Sequence, residues 1–257
     1  MMGLLTAEWI KLSRRWVLRV LVLVLIALCG LTGFIFLILP DLVQEVAQEL
    51  PVLDRRDALI LGIQTVLGQT WFPLILAVVM LGSEVTTSAW GSSLTRESRR
   101  ARHVAARLAV MLVATWVAAL LVIGLWVAGA TAFSEGESGF STADWIGVVW
   151  KTGLAQVTWL ALGMGAVAWI RSTGFAIGIV IVYSFGEGLL ALWEPFQRIS
   201  LSAAQNALFG EISADISGGI GIGITEAMTF TRAILVVLAW SVFGLALAYT
   251  GLRYRDA

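Results

Sequence analysis

The stretch Trp16-Val17-Leu18-Arg19-Val20-Leu21-Val22-Leu23-Val24-Leu25-Ile26-Ala27-Leu28-Cys29-Gly30-Leu31-Thr32-Gly33-Phe34-Ile35-Phe36-Leu37-Ile38-Leu39 contains a single charge, Arg19. A helix needs about 20 mainly apolar residues to cross the hydrocarbon core of a bilayer. The stretch therefore predicts a membrane-spanning helix. It exceeds the roughly 7–15 residues of a cleaved signal peptide's apolar tract, so a retained span is expected. Cys29 lies inside it and is the only cysteine. That excludes an internal disulfide and a thiolate metal cluster, and leaves Cys29 as a small hydrophobe.

Five more stretches of this kind follow, at Ala58–Leu81, Val104–Ala130, Ile146–Ile170, Gly174–Trp193 and Ala233–Leu252. Composition agrees with them. The 257 residues are 59% apolar and 13% charged, about half the roughly 25% of a soluble domain. The twelve Trp suit a chain that meets bilayer interfaces. Lys+Arg and Asp+Glu number 17 each, and a zero net charge argues against a general nucleic-acid binder. The predicted fold class is an all-α polytopic membrane protein with six transmembrane helices in one domain over residues 1–257.

Charge alternates along the connections. Lys11, Arg14, Arg15 and Arg19 precede the first span, whereas Asp41, Glu45, Glu49, Asp54 and Asp57 follow it. Arg96, Arg99, Arg100, Arg102 and Arg107 lie between spans two and three, and Glu135, Glu137 and Asp144 come next. Arg171 stands in a three-residue connection. Glu187, Glu194, Glu211, Asp215 and Glu226 mark the fifth, and Arg253 and Arg255 the tail. The positive-inside rule then predicts both termini in the cytoplasm, in agreement with an even number of spans. On that topology twelve basic and four acidic residues lie inside, and five basic and thirteen acidic outside.

Residues 1–15 predict an amphipathic interfacial helix. Leu5, Trp9, Leu12 and Trp16 recur at helical spacing, with Glu8, Lys11 and Arg15 elsewhere on the wheel. The simpler alternative is a basic flank of the first span. The cytoplasmic loop 82–103 is the most informative segment. It reads Gly82-Ser83-Glu84-Val85-Thr86-Thr87-Ser88-Ala89-Trp90-Gly91-Ser92-Ser93-Leu94-Thr95-Arg96-Glu97-Ser98-Arg99-Arg100-Ala101-Arg102-His103. By composition alone it is a solvated basic loop.

The order of residues resembles the corresponding loop of type-2 ABC exporter permeases. Glu84, Leu94-Thr95-Arg96, Ser98-Arg99 and Arg107 match that family's acidic residue, Leu-Thr-Arg run, Ser-Arg pair and basic residue opening the third helix. Ser88-Ala89 stand where the family has Gly-Thr, and Ser93 where it has a first Leu. Ala7-Glu8-Trp9-Ile10-Lys11-Leu12 is similar to the family's opening segment, with Glu8 and Lys11 at matching places. The resemblance covers essentially the whole chain. It implies a permease subunit of a multi-pass bacterial cytoplasmic-membrane exporter, moving substrate outward by alternating access. The loop would carry a coupling helix that docks on a cytosolic ATP-binding subunit. ATP and Mg would then reside in that partner, and this chain would bind no cofactor or metal.

Glu84, Leu94, Arg96, Ser98, Arg99 and Arg100 are the expected coupling residues. Arg forks bind carboxylates bidentately and also anchor to anionic lipid. Glu84 is expected to pair locally with a basic residue. The only lysines, Lys11 and Lys151, do not follow a glycine, so no phosphate-binding Gly-Lys loop exists in this sequence. Gly218–Gly223 lies on the outer side and reads as a flexible or re-entrant piece. The resemblance also implies a second permease subunit, as homo- or heterodimer. Gly174 and Gly178 form a GxxxG that favours close helix packing, within or between subunits. Gly163 and Gly165 would let a neighbour approach their helix closely.

Polar residues inside apolar runs are costly in lipid and mark candidate pathways. Gln64, Gln69, Gln156 and Glu187 qualify. Lys151 is expected to snorkel to the outer interface, Glu187 to occupy a solvated break between Gly186 and Gly188, and His103 to lie at the cytoplasmic interface. The outer connection 194–231 is long enough for short helices, at Ala203–Leu208 and Ile212–Ile216. Three other functions compete with this one. An intramembrane protease lacks its His and acid cluster. A stand-alone secondary transporter would show repeated halves, which are not evident. A permease-like scaffold or signalling subunit needs a complex to serve.

Overall fold

The computed structural model describes residues 2–38, 54–86, 100–190, 193–209 and 228–254. All elements among them are helical. Helix α1 spans Met2–Arg14 and α2 Trp16–Gly33, with a π-helical extension Phe34–Ile38. Helix α3 spans Arg55–Gly68, α4 Trp71–Thr86, α5 Arg100–Phe133 and α6 Thr142–Ile170. Helix α7 spans Thr173–Leu190, α8 Glu194–Gln197, α9 Leu201–Leu208 and α10 Phe230–Tyr254. Five stretches are long and apolar enough to cross a membrane: Trp16–Ile38, Arg55–Val85, Ala101–Phe133, Thr142–Ile170 and Phe230–Arg253. The remaining expected span is helix α7, whose described apolar part, Thr173–Tyr183, is shorter.

Local chemistry sets the helix ends. Asp54 caps α3 by accepting from the Asp57 N–H at 2.8 Å. Ser141 and Asp144 form a reciprocal capping box on α6. Helix α6 ends at Arg171, which takes a left-handed φ of 56° and lets α7 begin two residues later. The second apolar run is not one helix. It stops at Gly68 and restarts at Trp71. Pro73 explains the break, because it has no N–H to give the Gln69 carbonyl and its ring would strike that carbonyl in a continuous helix. The Phe72 N–H bonds Gln69 O instead, at 3.1 Å.

Helix α6 is the central post. It packs most extensively on α10 and next on α4. Glycines permit both approaches. A Cβ on Gly244 would lie 2.6 Å from the Ala161 carbonyl carbon, and one on Gly163 2.8 Å from Leu74 O. Gly163 and Gly165 thus admit neighbours from the same chain, α4 and α10. Gly174 and Gly178 have nothing within 4 Å of an added Cβ, so their stripe takes no part in this packing. Helix α3 meets α5 through Trp126, whose indole donates to Ala58 O at 2.7 Å. A Cβ on Gly62 would fall 2.1 Å from that ring. Trp116, Trp169 and Trp240 likewise donate to the carbonyls of Val149, Leu247 and Ile199. These indoles tie helices to neighbouring helices or connections.

The connections gather in two groups. Arg15 donates to Ser83 and Lys11 to Glu84, which joins the α1–α2 junction to the end of α4. Arg55 donates to the carbonyls of Thr131 and Ser134, which joins the start of α3 to the end of α5. Helix α5 has 34 residues and runs roughly 50 Å, well beyond the about 30 Å hydrocarbon core.

Candidate functional site

Two polar clusters stand out against the apolar packing. The first joins α1, α4 and α5. Glu8 and Lys11 lie one turn apart on α1, Glu84 near the end of α4, and Arg107 in the second turn of α5. Arg107 is 2% exposed and Glu8 3%, so both charges have left water. The Arg107 guanidinium donates through Nε to Glu8 Oε2 at 3.1 Å and through Nη2 to Glu8 Oε1 at 3.2 Å. Nη2 also reaches Glu84 Oε2 at 2.6 Å. Lys11 Nζ donates to Glu8 Oε1 at 2.9 Å and to Glu84 Oε1 at 3.2 Å. Two carboxylates thus face two cations. Burial works against the charge on Glu8, but Arg107 and then Lys11 prevail and hold its carboxyl below the ordinary value.

The wheel drawn from the sequence placed Glu8 with the polar residues away from Leu5 and Leu12. The structure turns α1 so that Glu8 and Leu12 are both buried, while Trp9 and Trp16 are exposed. A partner 99 residues away, Arg107, makes that burial tolerable. His103, expected at the interface, is buried one turn before Arg107. Leu94, Arg96, Ser98 and Arg99 lie outside the described residues, as do the second expected outer helix Ile212–Ile216 and the run Gly218–Gly223. Arg100 opens α5, but its side chain is outside the described set. The cluster therefore brackets the arginine-rich loop, with Glu84 before it and Arg107 after it.

The second cluster surrounds a cavity of about 260 Å³ at the helix break. Gln64 and Gly68 of α3, Thr70 of the break, Trp159 of α6, Glu187 of α7 and Gln205 of α9 line it. Glu187 is buried within continuous helix, which corrects the expected solvated break. Its carboxylate needs partners there, and Ser200 and Ser202 supply them. The Ser200 hydroxyl and the Ser202 N–H both donate to Glu187 Oε1 at 2.9 Å. Ser200 also accepts from Ala203 N–H as the cap of α9. Gln205 accepts the Trp159 indole N–H at 3.1 Å, while its own Nε2 is buried without a partner.

The structure thus brings Gln64 and Glu187 together and leaves Gln69 and Gln156 out of the wall. Gln69 sits in the break and accepts from the Trp71 indole. Gln156 is 5% exposed and its Oε1 has no partner. Lys151 does not snorkel. It is 5% exposed, with Nζ 5.1 Å from the Phe230 ring and 5.7 Å from the Phe209 ring. Aromatic faces attract a cation electrostatically, and Trp150, at 6.0 Å, is a third ring near this one. Sequence reading missed Arg107 as a cluster centre and Gln205 and Ser200 altogether. Gln205 does stand inside the predicted outer helix, a polar residue in an apolar segment, and that was its signal. No family model matches the chain, and neither the curated proteins nor the solved structures compared with it give a match.

Proposed function

We propose that this chain is the membrane-spanning permease subunit of an ATP-driven exporter of the type-2 ABC class, seated in a bacterial cytoplasmic membrane. The Arg107 bridge between Glu8 and Glu84 is the observation that carries the reading. A motor that lacks its own ATP site must receive force through a loop and pass it to several helices together. Separating a buried ion pair leaves uncompensated charge and costs about 3–5 kcal/mol. A push on the loop between Glu84 and Arg107 would therefore move α1, the end of α4 and the start of α5 as one body.

On this reading a cytosolic ATP-binding subunit docks on the loop, and ATP and Mg are held there. Arg96, Arg99 and Arg100 supply fork-shaped donors for its carboxylates, and Leu94 and Ser98 belong to the same docking segment. The exposed Gly174 and Gly178 stripe is available to a second permease subunit. The test is pull-down of the ATP-binding protein by the tagged chain and by its Arg96→Glu/Arg99→Glu variant. Lower recovery with the variant supports the docking role. Unchanged recovery overturns it.

A further inference from the structure

We propose that the cavity at the α3–α4 break binds a small organic ammonium carrying a hydrogen-bond acceptor, such as a carboxamide, beside its amino group. The proposal concerns binding alone and holds whether or not an ATPase drives the chain.

The one acidic or basic side chain among the residues that line the cavity is Glu187, which is buried. Two donors hold its Oε1 at 2.9 Å each, so the group is oriented before any ligand arrives. The last turn of α3 borders the same space through Leu67 and Gly68. The final carbonyls of a helix lack helical partners and carry partial negative charge. The ring of Trp159 adds a cation-favouring wall, and Phe209, whose ring already lies 5.7 Å from Lys151 Nζ, helps cover an apolar body.

Gln205 adds the second requirement. An indole N–H only donates, so the bond from Trp159 fixes which end of the Gln205 amide is oxygen. Nε2 is then a donor, in a side chain 5% exposed, with no partner. A buried donor left unmade is costly. A ligand that gives its ammonium to Glu187 and an acceptor to Gln205 satisfies both. An anion would meet Glu187, and a hydrocarbon would leave Gln205 Nε2 unpaired.

Three probes separate these terms: leucinamide, isocaproamide, which lacks the amine, and isopentylamine, which lacks the carboxamide. Binding to the full chain in lipid nanodiscs is measured by calorimetry at a pH where the amines are protonated. Leucinamide should bind saturably, and isocaproamide about tenfold or more weakly than it, as expected for loss of a charge-assisted bond. Isopentylamine should fall between them. Glu187→Gln keeps an acceptor for Ser200 and Ser202 and should weaken leucinamide by about tenfold. If that variant does not fold, the probe series on the unaltered chain decides. Absence of saturable leucinamide binding, equal binding of isocaproamide, or unchanged affinity in folded Glu187→Gln overturns the proposal.

Discussion

Arg107 ties three helices together, because one guanidinium on α5 serves carboxylates from α1 and α4. Replacing it with Met leaves Glu8 and Glu84 buried with, among the described residues, only the half-exposed Lys11 still bridging both. The expected loss is about 3–5 kcal/mol, read by denaturation of the purified chain in detergent, and a loss under about 1 kcal/mol would contradict the bridge. The same cluster sets a pH dependence. Glu8 has a carboxyl lowered from 4.5, so its stabilisation is complete at neutral pH. It fades as pH falls below 4.5 through the lower folded value. The stability gap between the native chain and Glu8→Gln should be flat near neutrality and shrink in acid, with Glu84, Lys11, Arg107 and His103 as the neighbouring ionisable groups. Glu8 and Lys11 were legible in the sequence as a spaced pair. Their burial was not, because it depends on Arg107, brought in by tertiary packing.

At the scale of elements, two features decide how the helices sit. Pro73 splits the second apolar run and so creates the cavity's edge. Pro73→Ala restores an N–H for Gln69 O, so amide exchange across residues 69–73 should slow, and unchanged exchange would assign the break to another cause. Close approach at Gly62 is the other feature. Gly62→Ala pushes a methyl against the Trp126 ring, and overpacking of this kind costs about 1–3 kcal/mol, measurable as a lowered Tm. Helix existence was readable from hydropathy, since four of the apolar runs coincide with continuous long helices and a fifth with the α3–α4 pair. The break was readable only through Pro73, and the apolar residues on both sides concealed it. Glu187 misled for a related reason. Two flanking glycines suggested a solvated gap, but Ser200 from the next connection satisfies the carboxylate inside continuous helix. That partner lies across a turn and has no periodic signature.

For the whole molecule, the zero net charge conceals an ordered division. The α1–α2 junction meets the end of α4 and the start of α5, and the start of α3 meets the end of α5. This grouping follows the alternation of basic and acidic connections along the chain. A protein built this way has a basic loop bracketed by a buried ion-pair cluster at one end, and a carboxylate-lined cavity at the helix break. The proposed account makes the first the place where an external motor acts. Its most direct test is affinity purification of the tagged full chain from its native membrane, with the co-purified proteins identified and ATP hydrolysis measured. The account predicts a stoichiometric nucleotide-binding partner whose ATPase activity accompanies the chain and is lost with Arg96→Glu/Arg99→Glu. A chain that purifies intact with no nucleotide-binding protein and no ATPase activity would contradict it.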